Sequence, residues 1–448
     1  MKIVIVGAGI GGLITALSLE AAGFTDVTVA ERTTEIRGLG VGVNLLPHAV
    51  RELTELGVAD RIAALGVEPG TLSYCNRQGQ PIWSEPRGRD AGYEWPQLSV
   101  HRGRLQLELR DLVEERLGDV IRLGHRLVEL RDGVDGDPHA PGATAVFELP
   151  DGSRSELSAD LVIAADGIHS AARKLFYPAE GEPVWSGLTL WRGTALVEPL
   201  LDGRTMVMVG DAEQKFVAYP LSGPLEDGRQ RLNFIAERRG EGSPSADWNR
   251  QVERGPIAEI FAGWSTDWLD IPAVIADAEE LLEYPMVDRD AVPQWVFGRV
   301  VLLGDAAHAM YPNGSNGGSQ ATLDARTLAY QLATAPSIDA ALAAYEDARR
   351  PATARLLELT RQTGPERVMQ IARERAPEGF ADIHDVIPRE ELESIAAEYK
   401  VAAGFHPEQL NARSSLTARV AGAAGAAGPS AAADRLAAAD RLAAGGAV

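Results

Sequence analysis

The run Lys2-Ile3-Val4-Ile5-Val6-Gly7-Ala8-Gly9-Ile10-Gly11-Gly12, with the apolar stretch Leu13 to Ala22 behind it, decides the fold. Lys2 to Val6 is a short β-branched run suited to a strand buried on both faces of a parallel sheet. The glycines that follow fit a strand-to-helix turn, each with its own task. Gly7 makes the tight turn, Gly9 lets the backbone approach a pyrophosphate, and Gly12 lets helix and strand pack closely. Leu13 to Ala22 reads as the helix, stopped by Gly23, and its N-terminus offers amide donors and a positive dipole end to phosphates. Val27 to Glu31 reads as a second strand. Glu31 closes it 19 residues past Gly12, where a carboxylate accepts bonds from ribose hydroxyls. In register, these parts predict a dinucleotide site on Gly7, Ala8, Gly9, Gly11, Gly12 and Glu31.

Two later segments repeat the strand-into-acidic-turn pattern. One is Leu161-Val162-Ile163-Ala164-Ala165-Asp166-Gly167, followed by Ser170 and Arg173. The other is Val300-Val301-Leu302-Leu303-Gly304-Asp305-Ala306-Ala307-His308, which continues through Pro312 and Gly314 to Gly317-Gly318 at a helix start. Between them lie strand-like stretches at Leu188–Val197, Arg204–Val209, Lys215–Leu221 and Arg231–Glu237. A hairpin is expected at Leu72–Asn76 and Pro81–Ser84. Helices are expected at Pro47–Leu56, Arg102–Leu117, Ala246–Gly263 and Gly317–Thr334, and from Ile338 to Val401. The predicted class is α/β: a Rossmann-like domain interrupted by a β-rich domain, with C-terminal helices.

Composition narrows the function. The 448 residues carry 43 basic and 64 acidic side chains, a formal charge of −21. Such a field repels phosphate backbones and anionic lipid, which argues against nucleic acid and membrane as partners. No apolar run approaches the roughly 20 residues needed to span a bilayer. The single cysteine, Cys75, excludes an internal disulfide and a cysteine zinc cluster, and no metal site is expected. The reading is a cytoplasmic protein. From Thr417 the chain is Ala/Gly-rich, with Ala-Ala-Ala-Asp-Arg-Leu-Ala at 431–437 and again at 437–443. It reads as loosely ordered and without chemistry.

With its glycine fingerprint, Asp-Gly motif and Gly-Asp motif in that order, the chain resembles the FAD-dependent aromatic hydroxylases of the p-hydroxybenzoate hydroxylase fold, over about residues 1–400. Within them it is most similar to the phenazine-carboxylate monooxygenases. That similarity runs through Glu35-Ile36-Arg37, Gly40-Val41-Gly42, Trp83 to Gly88, Trp191-Arg192-Gly193 and Tyr284 to Asp290. The chain departs from many members at Ser315, where they carry glycine. The resemblance implies an FAD-binding domain in three parts (1–71, 101–180 and 284–335) and a substrate domain in two (72–100 and 181–283). C-terminal helices (336–411) and a low-complexity tail (412–448) follow.

The resemblance also implies roles. Glu31 holds the adenosine ribose, Arg102 reaches the phosphates or ribityl chain, Asp166 sits near the pyrophosphate, and Asp305 bonds the ribityl hydroxyls. Amides near Gly317 and Gly318 face the pyrimidine end of the flavin, where reduced flavin is negatively charged. Arg32, Gly42, Val43, Leu127 and Pro312 complete the FAD contacts. NADH or NADPH binds transiently and reduces FAD. Dioxygen then gives a flavin hydroperoxide that hydroxylates a small aromatic or heteroaromatic acid, with or without decarboxylation.

Three residues are catalytic candidates. His48 either moves a proton or is a helix-start histidine with a structural bond. Arg192 either clamps a substrate carboxylate or makes an interdomain salt bridge. Tyr219 lies on a strand of the same sheet. Tyr93, Trp95, Trp185 and Trp191 either line an aromatic slot or pack the core, and His308 reads as structural.

Two other functions compete. A flavin-dependent halogenase needs Trp-x-Trp-x-Ile-Pro, but Asp267 and Leu269 stand at its tryptophan positions, and the only lysines are at 2, 174, 215 and 400. A non-hydroxylating reductase or redox sensor would share the fold without the oxygen chemistry.

Overall fold

Ile3–Val6 lies at the centre of a parallel sheet, fully or almost fully buried. Ile3 pairs with Val27 on one side and with Leu161 on the other, and Val162 pairs onward with Val300. In sheet order the strands are Val296–Phe297, Val300–Leu302, Leu161–Ala164, Ile3–Val6, Val27–Ala30 and Ile121–Arg122. All three expected nucleotide-type turns therefore leave adjacent strands at the same sheet end. This computed structural model describes residues 1–420 except 39, 135, 241–249, 363 and 403–405. Both copies of the tail heptapeptide lie outside the described residues.

The helix Ile10–Ala21 packs between the helices Gly317–Thr334 and Arg102–Leu117. The first contact is close at Gly11, where a Cβ would stand 3.4 Å from the Ala321 Cβ, at ordinary contact distance. The long helix Ile338–Arg361 covers Gly317–Thr334 from outside.

The second sheet has eight strands. In order these are Arg250–Gln251, Leu281–Asp288, Val184–Val197, Gln230–Arg239, Gln214–Pro220, Thr205–Gly210, Thr71–Cys75 and Pro81–Pro86. Its two faces are both covered. Trp191, Phe216 and Phe234 point to the helices Arg254–Ile260 and Ile271–Ala276. Leu190, Val217, Tyr219 and Ile235 point the other way, where Val368, Met369, Ile387 and Leu392 of the C-terminal region cover part of the face.

Three expectations change. The Leu281–Asp288 strand carries the β-rich unit past the expected boundary at 283 to Asp288. The strand Leu98–His101, of which residues 98–100 are expected at the end of the substrate part, pairs instead with Gly42–Leu45 and Gly66–Val67 in a small separate sheet. Of the helix expected at 246–263, residues 246–249 lie outside the described residues, Arg250–Gln251 pairs instead with Leu282 and Glu283 as an edge strand, and a helix runs over Arg254–Ile260.

The described end of the chain is docked. Arg51 Nη1 donates to the Leu410 carbonyl at 3.0 Å, and the fully buried Glu52 pairs with Arg413 and with Arg326. Thr417 Oγ1 donates to Glu55 at 3.2 Å, and the Val420 amide donates to the Ala22 carbonyl at 3.0 Å. Residues 413–420 thus clasp the helix Pro47–Glu55 and the end of the first helix. This revises the loose order expected from Thr417 for residues 417–420, which dock through these polar bonds and through Val420, packed against the core of the cofactor domain; the rest of that tail lies outside the described residues. Among the described residues no helix is long and apolar enough to cross a membrane.

Candidate active site

The glycine turn is built by exclusion. At Gly7, φ is +105° and a Cβ would fall 2.5 Å from the Ala165 carbonyl oxygen. At Gly12 it would fall 2.0 Å from the Gly7 oxygen. Both distances are far inside van der Waals contact, so neither position admits a side chain. Gly9 differs: nothing lies within 4 Å of its Cβ position. That open direction faces a cleft of about 910 Å³ whose walls include Gly7, Gly9, Glu31, Arg32, Arg102, Leu127 and Asp166.

The carboxylates of the cleft have distinct duties. Glu31 accepts from the Ala8 amide at 2.8 Å and from the Thr33 amide at 2.9 Å, so it fixes the glycine turn as well as bordering the cleft. Asp166 accepts from Ser170 Oγ at 2.5 Å and from the Ala171 and Ala172 amides at 2.7 and 3.2 Å. It therefore caps the helix Ala171–Phe176 and shapes the cleft wall. Burial nevertheless raises its pKa, against these bonds. Asp305 stands at the start of the short helix Asp305–His308. Desolvation raises its pKa, with His308 and Arg102 opposing.

Arg102 opens the helix Arg102–Leu117. One turn on, Gln106 Nε2 donates to the Ala8 carbonyl at 2.8 Å and also borders the cleft. Gln106 is absent from the residues expected from sequence, although i, i+4 spacing from Arg102 places it on the same helix face. Arg173 is the second residue whose importance only the structure shows. It is nearly fully buried, pairs with Glu180 and donates to the carbonyls of Ala307 at 2.8 Å and Asp290 at 2.7 Å. It thereby locks the Asp-Gly turn to the Gly-Asp turn.

Beyond Asp305, Pro312 and the loop to Ser315 lead into the helix Gly317–Thr334, capped at Asn316. Ser315 holds φ +59°, the left-handed region in which a glycine is unstrained. The glycine common at this position in the resembling family thus has a backbone reason. Gly317 and Gly318 leave room above the helix end, since Cβ atoms there would meet nothing closer than Asp305 Oδ1 at 3.9 Å and Leu45 Cδ2 at 3.8 Å. Below, Asp324 is fully buried and accepts from His308 Nε2 at 2.5 Å, Arg349 Nε at 2.7 Å and the Gly304 amide at 3.1 Å. Burial alone would raise its pKa, but His308 and Arg349 hold it down to about 2. His308 is a structural residue of this network.

The β-rich sheet meets the cleft domain at Gly42. Its amide donates to Asn233 Oδ1 at 2.6 Å, and its carbonyl accepts from Arg192 Nη2 at 3.0 Å. A Cβ on Gly42 would fall 2.7 Å from the Tyr219 ring. Arg192 also hydrogen-bonds Tyr219 and lies 5.8 Å from the centroid of the Tyr284 ring. Among the described residues no carboxylate is within ion-pair distance of Arg192, and its buried Nε has no hydrogen-bond partner. An interdomain salt bridge is therefore not its task. Burial pushes the Tyr219 phenol up to about 12, against the Arg192 charge. Val43, next to Gly42, continues the strand Gly42–Leu45 towards His48.

The four aromatic candidates do not form a slot. Trp191 neighbours Arg192 in a strand and so faces the opposite side, where it donates to Glu283 at 2.9 Å. Tyr93 packs with Leu46, Leu356 and Leu410, and Trp95 lies under Arg51. Trp185 donates to the Leu188 carbonyl at 2.8 Å. Tyr284 takes their place beside Arg192.

His48 is buried at the start of Pro47–Glu55. Burial, with the charges of Arg413 and Arg349, pushes its pKa down to about 3. The imidazole is neutral at neutral pH and suits a hydrogen-bonding role better than proton donation. The pH profile of kcat is accordingly expected to show no inflection from His48 between pH 5 and 8. His48→Gln should shift the height of that profile and not its shape. A wild-type inflection near pH 6.5 that the variant abolishes would contradict this.

These residues fit FAD: an open Gly9, a helix end with vacant space over Gly317 and Gly318, and Asp305 beside it. Comparison with known proteins agrees. Residues 1–360 match the family model for the FAD binding domain. The chain is 40% identical over 371 residues to phenazine 1,6-dicarboxylic acid hydroxylase PhzS of Lysobacter antibioticus, covering 80% of this chain and 89% of that one. It is 30% identical over 405 residues to salicylate hydroxylase of Pseudomonas putida, covering 81% and 85%. A variant of Klebsiella pneumoniae HpxO crystallised with FAD superposes with a TM-score of 0.72 at 25% identity, covering 91% of this chain and all of that one.

Proposed function

Because the chain belongs to the FAD-binding-domain family of flavin-dependent aromatic monooxygenases, we propose that its substrate is an aromatic or heteroaromatic acid whose carboxylate is held by Arg192. The observation that carries this reading is the state of Arg192. It is anchored to Gly42 on one nitrogen and lacks a carboxylate partner and an Nε acceptor at the junction with the cofactor domain. A protein of charge −21 does not attract an anion at long range, so a local cation must hold it. The PhzS relative is named for a dicarboxylic acid and the salicylate hydroxylase for a monocarboxylic one.

When bound, FAD takes electrons from NADH or NADPH and, with dioxygen, supplies the inserted oxygen atom. The chain's residues do the rest. Gly9 and the turn around it receive the pyrophosphate, Arg102 offsets phosphate charge, and Asp305 accepts from the ribityl hydroxyls. The Gly317 and Gly318 amides face the pyrimidine end. Arg192 orients the substrate, Tyr219 stays protonated beside it, and the covered sheet keeps water from the ring. We read the enzyme as cytoplasmic, without nucleic acid or membrane partners, and see no role for a halogen channel or a redox-sensor output.

A panel of aromatic acids, phenols and indoles, followed by NAD(P)H loss and product mass, tests this. Gain of one oxygen, alone or with loss of carbon dioxide, is expected for an acid. Arg192→Met should raise the apparent KM for that acid roughly 10- to 150-fold, since a charge-assisted bond contributes about 1.5–3 kcal/mol. FAD content should stay at the wild-type level. A neutral phenol or indole outperforming every acid, with Arg192→Met silent, would overturn the carboxylate clamp and leave the family assignment standing.

A further inference from the structure

Lys215 is one of four lysines in the chain and is nearly fully buried. Its ammonium lies 3.0 Å from Glu237 and also pairs with Glu366. Two carboxylates on one ammonium is an unusual thing to bury, since each ion taken out of water costs several kcal/mol. None of the roles above uses the cluster.

Strand register places it. Lys215 pairs with Glu237, Glu237 with Leu190, and Leu190 with Tyr284, so these four form one row across the sheet. Arg192 and Ile235 form the next row on the same face, two residues along each strand, or about 6.7 Å away. The sheet face that presents Arg192 therefore also presents Glu237 and Lys215.

Between this row and the turn after Asp305 lies a cavity of about 110 Å³, lined by Lys215, Glu237 and Glu366 on one side and by Tyr311 and Asn313 on the other. Leu188 and Met286 supply apolar wall. A cavity that holds a whole benzene measures about 150 Å³, so this one takes a ring edge with its substituent. The other charges on its wall are already matched: Asp211 by Arg77, Arg239 by Glu213, and Arg361 by Asp288 and Asp290. The cluster itself keeps a surplus acceptor. Beside Arg192, the fully buried Asn233 leaves Nδ2 without a hydrogen-bond partner. Donors thus wait at one end of this face and acceptors at the other.

We propose that Glu237, Lys215 and Glu366 form the far wall of the substrate site and select an aromatic acid bearing a hydrogen-bond donor, a hydroxyl or amino group, on the edge opposite its carboxylate. A second carboxylate there meets the surplus negative charge and is rejected. The inference rests on Arg192 as the clamp for the first carboxylate. Lys215 is the positioning residue: it holds both carboxylates in place and leaves an acceptor oxygen for the substrate's edge.

The test uses the FAD-loaded enzyme and four probes: 2-naphthoate, 6-hydroxy-2-naphthoate, 6-amino-2-naphthoate and naphthalene-2,6-dicarboxylate. Dissociation constants are read from the perturbation of the flavin absorbance. The hydroxy and amino acids should bind at least ten-fold tighter than the dicarboxylate. Glu237→Gln removes one charge and leaves Lys215 and Glu366 as a neutral pair, so it should narrow that gap about ten-fold while FAD content is unchanged. Glu366→Gln makes the same change from the other side and serves if the first variant does not fold. A wild-type enzyme that binds the dicarboxylate as tightly as the donor acids, or variants that leave the ranking unmoved, would overturn the far-wall assignment. If Arg192→Met leaves all four constants unchanged, the clamp fails instead. If it weakens all four while Glu237→Gln changes nothing, the clamp stands and only the far wall falls.

Discussion

Gly9→Val protein is expected to express as a folded but colourless enzyme, with FAD affinity at least 100-fold below wild type. The expectation comes from an asymmetry within one turn. At Gly7 and Gly12 an added Cβ collides with backbone at 2.5 and 2.0 Å, so substitution there attacks the fold itself. At Gly9 an added Cβ meets nothing within 4 Å, and φ is an ordinary −74°. Valine fits the empty protein and occupies the space that the pyrophosphate needs. A 100-fold loss corresponds to about 2.7 kcal/mol, modest for steric exclusion of a phosphate from its amide donors. FAD released on denaturation of each purified protein, set against circular dichroism and Tm, separates the two effects. Wild-type FAD content in Gly9→Val would remove the glycine turn from the cofactor site.

Asp324→Ala should cost stability and not merely activity, by about 3–5 kcal/mol. The substitution leaves Arg349 and His308 buried without their carboxylate and strips the Gly304 amide of its acceptor. The same residue sets a pH dependence. Its folded pKa, about 2, lies below the ordinary aspartate value near 3.9. It therefore contributes stability that is fully present above about pH 4 and is lost as pH falls towards 2, on the order of 2 kcal/mol over that window. Urea midpoints between pH 2 and 6 check both statements. Asp324→Ala should be less stable at pH 6, and its stability should fall less steeply below pH 4 than that of wild type.

The cofactor half of the molecule was legible because its constraints are local. A tight turn needs glycine at Gly7, helix–strand contact needs it at Gly12, and an acid must close the second strand at Glu31. The substrate half was legible only by strand alternation. Trp191 and Arg192 are consecutive on one strand, so only one of them can face the cleft, yet nothing local says which. The answer depends on Gly42, 150 residues away in sequence, which gives Arg192 its anchor. The cluster of Lys215, Glu237 and Glu366 was illegible for the same reason, since its register is set by pairing between strands. Gln106 was readable in principle, as the residue one turn beyond Arg102, and was missed because glutamine carries no charge to draw notice. Arg173 was quoted as part of a motif, but its bonds to Ala307 and Asp290 join turns that sequence presents as separate.

The clasp of residues 413–420 on the first helices has a bearing on how the chain is made. Glu52 waits for Arg413 across 361 residues, and Ala22 waits for Val420. The parallel sheet likewise needs Val300–Leu302 beside Leu161–Ala164 before its edge is covered. During ribosomal synthesis the helices Ile10–Ala21 and Pro47–Glu55 therefore emerge early but gain these partners late. A nascent chain stalled before residue 413 leaves Glu52 without one of its two arginine partners, and contacts of such sequence separation form slowly. Closing this clasp is thus a late step in the folding of the cofactor domain.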